Sequence, residues 1–212
     1  MHHIPNLLTV LRLILSLAMF FALAAIGYGL SRAGAGPADG VLLARFAFGA
    51  LVVAAVTDFF DGWLARRWKA VSLVGAILDP IADKILVCGA ILGLLAVQAP
   101  GVLIPGALIL FREFAVSAMR ETLAPRGIKL PVTFLAKIKT TLQLVALAVI
   151  MFLWFWPVWR INARADHLKI ALQSADALWA IAAVITLWTG LDYARSAWNA
   201  LKAQFAEQAP TT

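Results

Sequence analysis

Long apolar stretches separated by short polar breaks run along the whole chain. About 20 consecutive, mostly apolar residues are enough for a helix to cross the roughly 30 Å hydrocarbon core of a bilayer, where a helix satisfies its own backbone hydrogen bonds. Six stretches reach this length: residues 7–30, 41–68, 71–98, 102–123, 132–156 and 172–198. The pattern predicts an all-α, polytopic membrane protein with six transmembrane helices, organised as one domain over residues 1–212.

The composition agrees with a membrane protein and excludes other classes. Of the 212 residues, 63% are hydrophobic and 14% are charged, and a soluble domain of this size cannot bury so much apolar surface. A soluble enzyme and a disordered chain are therefore excluded, and the single cysteine excludes a disulfide scaffold. The net charge of +7 indicates loops that face anionic lipid headgroups.

The distribution of Lys and Arg predicts the orientation, because cytoplasmic loops carry an excess of these residues. With a cytoplasmic amino end, eight of them fall on the cytoplasmic side: Arg66, Arg67, Lys69, Arg120, Arg126, Lys129, Arg195 and Lys202. Four fall on the opposite side: Arg32, Arg160, Arg164 and Lys169. This distribution predicts that both termini are cytoplasmic.

Four acidic residues lie inside the second and third predicted spans: Asp58, Asp61, Asp79 and Asp83. A charge at membrane depth costs at least ~2.5 kcal/mol, so these carboxylates need compensation. Each pair is three or four residues apart and shares a helix face, and the short hairpin between the spans predicts that the two faces meet in the cytoplasmic half of the bilayer. Two divalent cations would cancel the four charges, and oxygen-only ligands favour Mg²⁺ first and Mn²⁺ second.

The residues near these acids suit a diphosphate ligand. Gly62, Ala65 and Gly75 lie on or beside the acidic faces and leave space for a bulky group, while Arg66 and Ser72 supply hydrogen-bond donors.

The four acids also have simpler interpretations. They are compatible with helix caps or with ion pairs to Lys84 or Arg66, as in a membrane scaffold. They are also compatible with the pathway of a divalent-cation transporter. Beyond Asp83, however, the third span offers no further acid, so such a path would stop halfway.

The spacing of these residues resembles a known family signature. The run Asp58-x2-Asp61-Gly62-x2-Ala65-Arg66-x8-Gly75-x3-Asp79-x3-Asp83 is similar to that of the CDP-alcohol phosphatidyltransferases at all eight fixed positions. The resemblance implies a metal-dependent transfer that releases CMP.

By position, the resemblance also implies roles for single residues. Asp58 and Asp79 would bridge two Mg²⁺ or Mn²⁺ ions, Asp61 would bind one ion, and Asp83 would bind the other and act as the general base. The CDP moiety would be contacted by a further set of residues: Asn6, Thr9, Gly62, Ala65, Arg66, Ser72 and Gly75.

Three shorter motifs resemble the members of this family that use glycerol 3-phosphate. They are residues 4–9 with Arg12, a fourth-span group that begins at Arg112-Glu113, and a fifth-span group that begins at Lys137. The resemblance implies CDP-diacylglycerol as donor, glycerol 3-phosphate as acceptor and the bacterial inner membrane as location. Serine, inositol phosphate or an amino-alcohol are the alternative acceptors.

A phosphorylated acceptor needs cationic partners. The candidates are Arg112, Arg120, Lys137 and Lys139. Because Lys137 and Lys139 are two residues apart on a helix, we expect only one of them to face the pocket. The competing interpretations are membrane anchoring for Arg120 and an ion pair with Glu113 for Arg112.

A pattern of small residues in the third span suggests an oligomer. Gly89 and Gly93 form a G-x-x-x-G motif, which is typical of helix–helix interfaces in membranes. It predicts a homodimer.

Overall fold

The chain is all-helical in the part that the computed structural model describes, which comprises residues 4–29, 37–68, 73–128 and 134–207. Within these ranges, the structure does not describe the side chains of residues 4, 5, 37, 59–68, 73, 74, 76, 134–137 and 205–207. The α-helices are α1 (Ile4–Gly27), α2 (Pro37–Trp68), α3 (Leu73–Ala96), α4 (Leu103–Leu123), α5 (Phe134–Trp154) and α6 (Ala165–Glu207). Each predicted span corresponds to one of these helices, which confirms the all-α prediction.

The helix bounds differ most from the prediction in α6, which has 43 residues instead of the predicted segment 172–198. Polar or charged residues make up seven of the sixteen extra residues, 165–171 and 199–207, so the continuous apolar pattern ends before the helix does. At its start, α2 begins at Pro37, and proline is favoured in the first turn because it needs no amide hydrogen there.

Three segments among the described residues are long and apolar enough to cross a membrane: Asn6–Gly27, Ala38–Asp58 and Ala165–Gln204. In α5 the apolar segment is shorter, Ile138–Trp154, and α3 and α4 are interrupted by charged residues. Large apolar side chains also face outward, with Phe111 76% and Trp188 66% exposed. Many exposed large apolar side chains are typical of a protein surrounded by lipid. The helices therefore indicate a membrane protein.

The helices pack in two groups. The first helix packs extensively against both α2 and α3, and α6 packs against α4 and α5. The second group is joined by polar contacts as well: Gln143 of α5 donates to the Thr186 hydroxyl of α6 at 2.7 Å, and the Trp179 indole of α6 donates to the Val102 carbonyl at 3.4 Å.

The G-x-x-x-G motif of α3 packs against α1 of the same chain. A Cβ on Gly93 would lie 2.5 Å from Cδ1 of Leu23, and a Cβ on Gly89 would lie 3.4 Å from the carbonyl oxygen of Ser16. Both glycines face α1, and Gly93 is the one whose missing side chain allows the close approach, because a Cβ at Gly89 would make only ordinary van der Waals contact. The motif does not provide a free dimer face, and the homodimer stays a prediction without its support.

Candidate active site

Two of the predicted acids meet at a buried arginine on α1. Arg12 is fully buried, and one of its terminal nitrogens donates to Oδ1 of Asp58 on α2 and to Oδ1 of Asp83 on α3. The two carboxylates are 35% and 45% exposed, respectively, so both remain accessible from outside the helix bundle. The predicted convergence of α2 and α3 is therefore correct for this pair, and α1 lies at their meeting point.

A third acid is held by the same face of α1. The Thr9 hydroxyl donates to Oδ1 of Asp79 at 2.6 Å, and Thr9 lies three residues before Arg12 on the helix. One helix thus contacts three of the four predicted acids. We call Asp58, Asp79 and Asp83 the acid cluster.

Sequence reasoning noted Arg12 only as part of the opening motif and assigned it no partner. A signal was nevertheless present, because Thr9, Arg12 and Ser16 are polar residues at helical spacing in an apolar span. All three are buried, and Ser16 donates to the Arg12 carbonyl at 2.7 Å. A polar stripe of this kind in a membrane helix predicts a partner of opposite charge on a neighbouring helix.

The described side chains of the acid cluster offer oxygen donors but do not form a complete metal site. The guanidinium of Arg12 already brings one positive group between the carboxylates of Asp58 and Asp83, and carboxylate oxygens are the donors that Mg²⁺ prefers. Within the described residues, three or more His, Cys, Asp or Glu side chains do not come together as a metal site. The side chain of Asp61, the fourth predicted ligand, lies outside the described residues.

The residues predicted to contact CDP are described only in part. Asn6 and Thr9 lie on the first turns of α1, half-buried and buried respectively, and Gly75 is buried in α3. The others fall outside the described side chains or residues: Gly62, Ala65, Arg66 and Ser72.

A cavity of about 200 Å³ opens directly beside the acid cluster. Asp83 lines one side of it, and the other sides are lined by Arg112 and Arg120 of α4 and Lys139 of α5. Three of the four predicted acceptor-binding cations therefore face the same space as Asp83. We call this space the basic cavity. The side chain of Lys137 lies outside the described residues, whereas Lys139 is the member of that pair that lines the cavity.

Two of the three cations of the basic cavity, Arg112 and Lys139, contact the same carboxylate. Glu113 accepts a hydrogen bond from Nζ of Lys139 and another from Arg112, the latter at 3.1 Å. Arg112 and Lys139 are 5% and 4% exposed, so they need such a partner. Arg112 forms the expected ion pair with Glu113 and also lines the cavity, while its binding of the acceptor phosphate stays a prediction.

The third cation, Arg120, has a partner on α6 that sequence reasoning missed. Its guanidinium donates to the Tyr193 hydroxyl at 2.6 Å and lies 4.9 Å from the centre of the Tyr193 ring. Arg120 is therefore held in place at the cavity, which membrane anchoring alone does not explain. The sequence carried no signal for Tyr193, which is 73 residues away.

The family of the chain follows from a comparison with known proteins. Residues 2–188 match the family described as CDP-alcohol phosphatidyltransferase. The chain belongs to the CDP-alcohol phosphatidyltransferase family. This membership confirms the family that the eight-position signature indicated, and it makes the protein a transferase and not a cation transporter or a scaffold.

Similar members of the CDP-alcohol phosphatidyltransferase family carry a more specific name. The chain is 43% identical over 148 residues to the CDP-diacylglycerol--glycerol-3-phosphate 3-phosphatidyltransferase of Shigella flexneri serotype 5b (strain 8401). It is equally similar to the protein of that name from Escherichia coli (strain K12). In both cases the similarity covers 68% of this chain and 74% of the relative.

Proposed function

We propose that this protein transfers a phosphatidyl group from CDP-diacylglycerol to glycerol 3-phosphate, giving phosphatidylglycerophosphate and CMP. The names of its relatives support this reaction. The observation that carries the proposal is the basic cavity, in which Arg112, Arg120 and Lys139 face the same space as Asp83.

The charge of the cavity supports a phosphorylated acceptor. A phosphate is bound well by Arg and Lys in a partly dehydrated site, because charge-assisted hydrogen bonds are stronger than neutral ones. Serine is a zwitterion and an amino-alcohol such as ethanolamine is a cation at neutral pH, so neither has a group that needs three cationic partners. An inositol phosphate does, so it is the second candidate that this cavity supports.

In the proposed mechanism, Asp83 is the general base. The acceptor phosphate binds Arg112, Arg120 and Lys139, which directs the glycerol hydroxyl toward Asp83. Asp83 accepts the hydroxyl proton as the oxygen attacks the phosphorus that bears the diacylglycerol group, and CMP leaves.

The donor and the metal are proposed to occupy the acid cluster. The predicted ligands of the metal are the acid cluster and Asp61. Mg²⁺ or Mn²⁺ bound there would neutralise the diphosphate of the donor and the leaving CMP. Thr9 keeps Asp79 oriented through its 2.6 Å hydrogen bond, and Arg12 keeps Asp58 and Asp83 together.

The membrane arrangement completes the proposal. All six helices would cross the bacterial inner membrane with both termini in the cytoplasm, which the excess of Lys and Arg on that side supports. The acyl chains of CDP-diacylglycerol and the surrounding lipids would then stay in the bilayer, while the soluble acceptor enters from the cytoplasm.

An acceptor panel tests the proposed function. The purified protein receives CDP-diacylglycerol and MgCl₂ with glycerol 3-phosphate, myo-inositol 1-phosphate, serine or ethanolamine, and CMP release is measured. Unphosphorylated glycerol is the matched control for the phosphate group. We expect release with glycerol 3-phosphate and none with glycerol, while release with serine alone would overturn the acceptor assignment.

A further inference from the structure

The helix α6 presents a polar face to the two arginines of the basic cavity. Thr189 and Tyr193 lie four residues apart on this face and are both 3% exposed. A terminal nitrogen of Arg112 donates to Oγ1 of Thr189 at 3.2 Å. The described lining residues of the cavity belong to α3, α4 and α5. This face of α6 therefore contacts the arginines on the side away from the cavity.

Gly190 leaves the space that the Arg112 side chain occupies. A Cβ on Gly190 would lie 2.7 Å from Cγ of Arg112 and 3.3 Å from its Nε. Because the first distance is shorter than carbon atoms tolerate, any larger residue would displace the aliphatic part of Arg112. The glycine therefore fixes the path by which this side chain reaches the cavity.

Tyr193 contacts both arginines. Its ring centre lies 5.7 Å from the guanidinium carbon of Arg112 and 4.9 Å from that of Arg120, within the range of cation–π attraction. Its hydroxyl also accepts the 2.6 Å hydrogen bond from Arg120. One buried ring thus holds two like charges at a defined separation.

We infer that Gly190 and Tyr193 are positioning residues that orient Arg112 and Arg120 toward the phosphate of the acceptor and so contribute to acceptor specificity. Both lie beyond residue 188, where the match to the family ends. The inference rests on the proposed function, because it needs a phosphorylated acceptor in the basic cavity. A purely structural role would instead affect every step of the reaction equally.

Steady-state kinetics with three variants test this inference. Tyr193→Phe keeps the ring and removes the hydroxyl, Tyr193→Leu removes both, and Gly190→Ala adds the Cβ. We expect the KM for glycerol 3-phosphate to rise about threefold in Tyr193→Phe and roughly tenfold in the other two. The KM for CDP-diacylglycerol should stay within about twofold of the original value, because the acid cluster is not altered.

Trp179→Phe is the matched control, because Trp179 is also a buried aromatic residue of α6 with a polar contact, but it lies outside the cavity. We expect it to leave the KM for glycerol 3-phosphate unchanged. If Tyr193→Leu does not fold, Tyr193→Phe and Gly190→Ala decide the outcome.

Two results would overturn the inference. One is an unchanged KM for glycerol 3-phosphate in the Tyr193 and Gly190 variants, and the other is a parallel rise in both KM values. If the original protein uses glycerol 3-phosphate, either result ends this inference alone. If the unsubstituted protein has no activity with glycerol 3-phosphate, both this inference and the proposed function are wrong.

Discussion

The acid cluster and the basic cavity meet at Asp83 and have opposite charge arrangements. In the acid cluster, the positive charge of Arg12 lies between two carboxylates, with Asp79 nearby. In the basic cavity, the negative charge of Glu113 pairs with Arg112 and Lys139, with Arg120 nearby. Each region keeps an excess of one sign after its internal pairing. The acid cluster is therefore suited to cations and the basic cavity to anions.

This difference supports the proposal that the two substrates bind in adjacent regions. Metal ions prefer carboxylate oxygens, and phosphates prefer guanidinium and ammonium groups. We therefore propose that the metal-bound diphosphate of the donor binds in the acid cluster and the acceptor phosphate in the basic cavity. Substitutions in one region should therefore alter the kinetics of one substrate more than those of the other. The predictions below test this separation, beginning with the largest expected effect.

Asp83→Asn should have the largest effect, because Asp83 belongs to both regions. Loss of a general base lowers rates by about 10²–10⁴-fold, and the change also removes a carboxylate from the acid cluster. We expect CMP release to fall by about 10³-fold or more. The matched control is Asp176→Asn, an exposed residue of α6 outside both regions. A rate near the original value in Asp83→Asn would remove the base assignment.

Lys139→Met should affect the acceptor selectively. A charge-assisted hydrogen bond contributes about 2 kcal/mol, so we expect the KM for glycerol 3-phosphate to rise about 30-fold. The KM for CDP-diacylglycerol should change much less. Lys202→Met serves as control, since Lys202 is exposed and lies against the Trp198 ring at 5.3 Å. Equal changes in both KM values would contradict the separation of the two sites.

Arg12→Met should destabilise the protein in the absence of metal. Its removal leaves the carboxylates of Asp58 and Asp83 uncompensated, at a cost of roughly 2 kcal/mol, less than for a fully buried pair because both acids are partly exposed. Thermal unfolding in EDTA measures this loss, and added MgCl₂ should raise Tm more in the variant than in the original protein.

The control for that experiment is Arg45→Met. Arg45 is exposed and donates to the Val158 carbonyl at 2.9 Å, so its loss should change stability by about 0.5 kcal/mol or less. An Arg12→Met protein as stable in EDTA as the control would show that Arg12 does not compensate the acids.

Thr9→Val should have the smallest effect of the four. It removes one hydrogen bond to Asp79, which contributes about 1 kcal/mol, so kcat/KM for CDP-diacylglycerol should fall about fivefold. Thr57→Val is the control, because the Thr57 hydroxyl donates only to carbonyls of its own helix among the described contacts. If Thr9→Val lowered kcat/KM for glycerol 3-phosphate alone, this would contradict the assignment of Thr9 to the acid cluster.

The sequence predicted the acid cluster better than the basic cavity, for a physical reason. Acids in apolar spans are costly and therefore conspicuous, and the i,i+4 spacing of Asp79 and Asp83 indicates a shared face without knowledge of the tertiary structure. The contacts of α1 with the acids, from Arg12 and Thr9, were not predicted, because their partners lie 46 to 71 residues away.

The basic cavity depends on contacts that helix spacing does not reveal. The cations Arg112, Arg120 and Lys139 were candidates from their chemistry alone, but positively charged helix ends are also what membrane anchoring produces. Which of them share one space depends on how α4 and α5 pack against α6. Tyr193 is polar only at its hydroxyl, so its position behind two arginines has no signature in a one-dimensional pattern.

Equilibrium binding of Mn²⁺, followed by electron paramagnetic resonance in the presence of CDP-diacylglycerol, tests the separation of the two regions most directly. The account predicts two ions per chain in the original protein, loss of binding in Asp58→Asn, and two ions still bound in Lys139→Met. Undiminished binding in Asp58→Asn, or loss of binding in Lys139→Met, would contradict it.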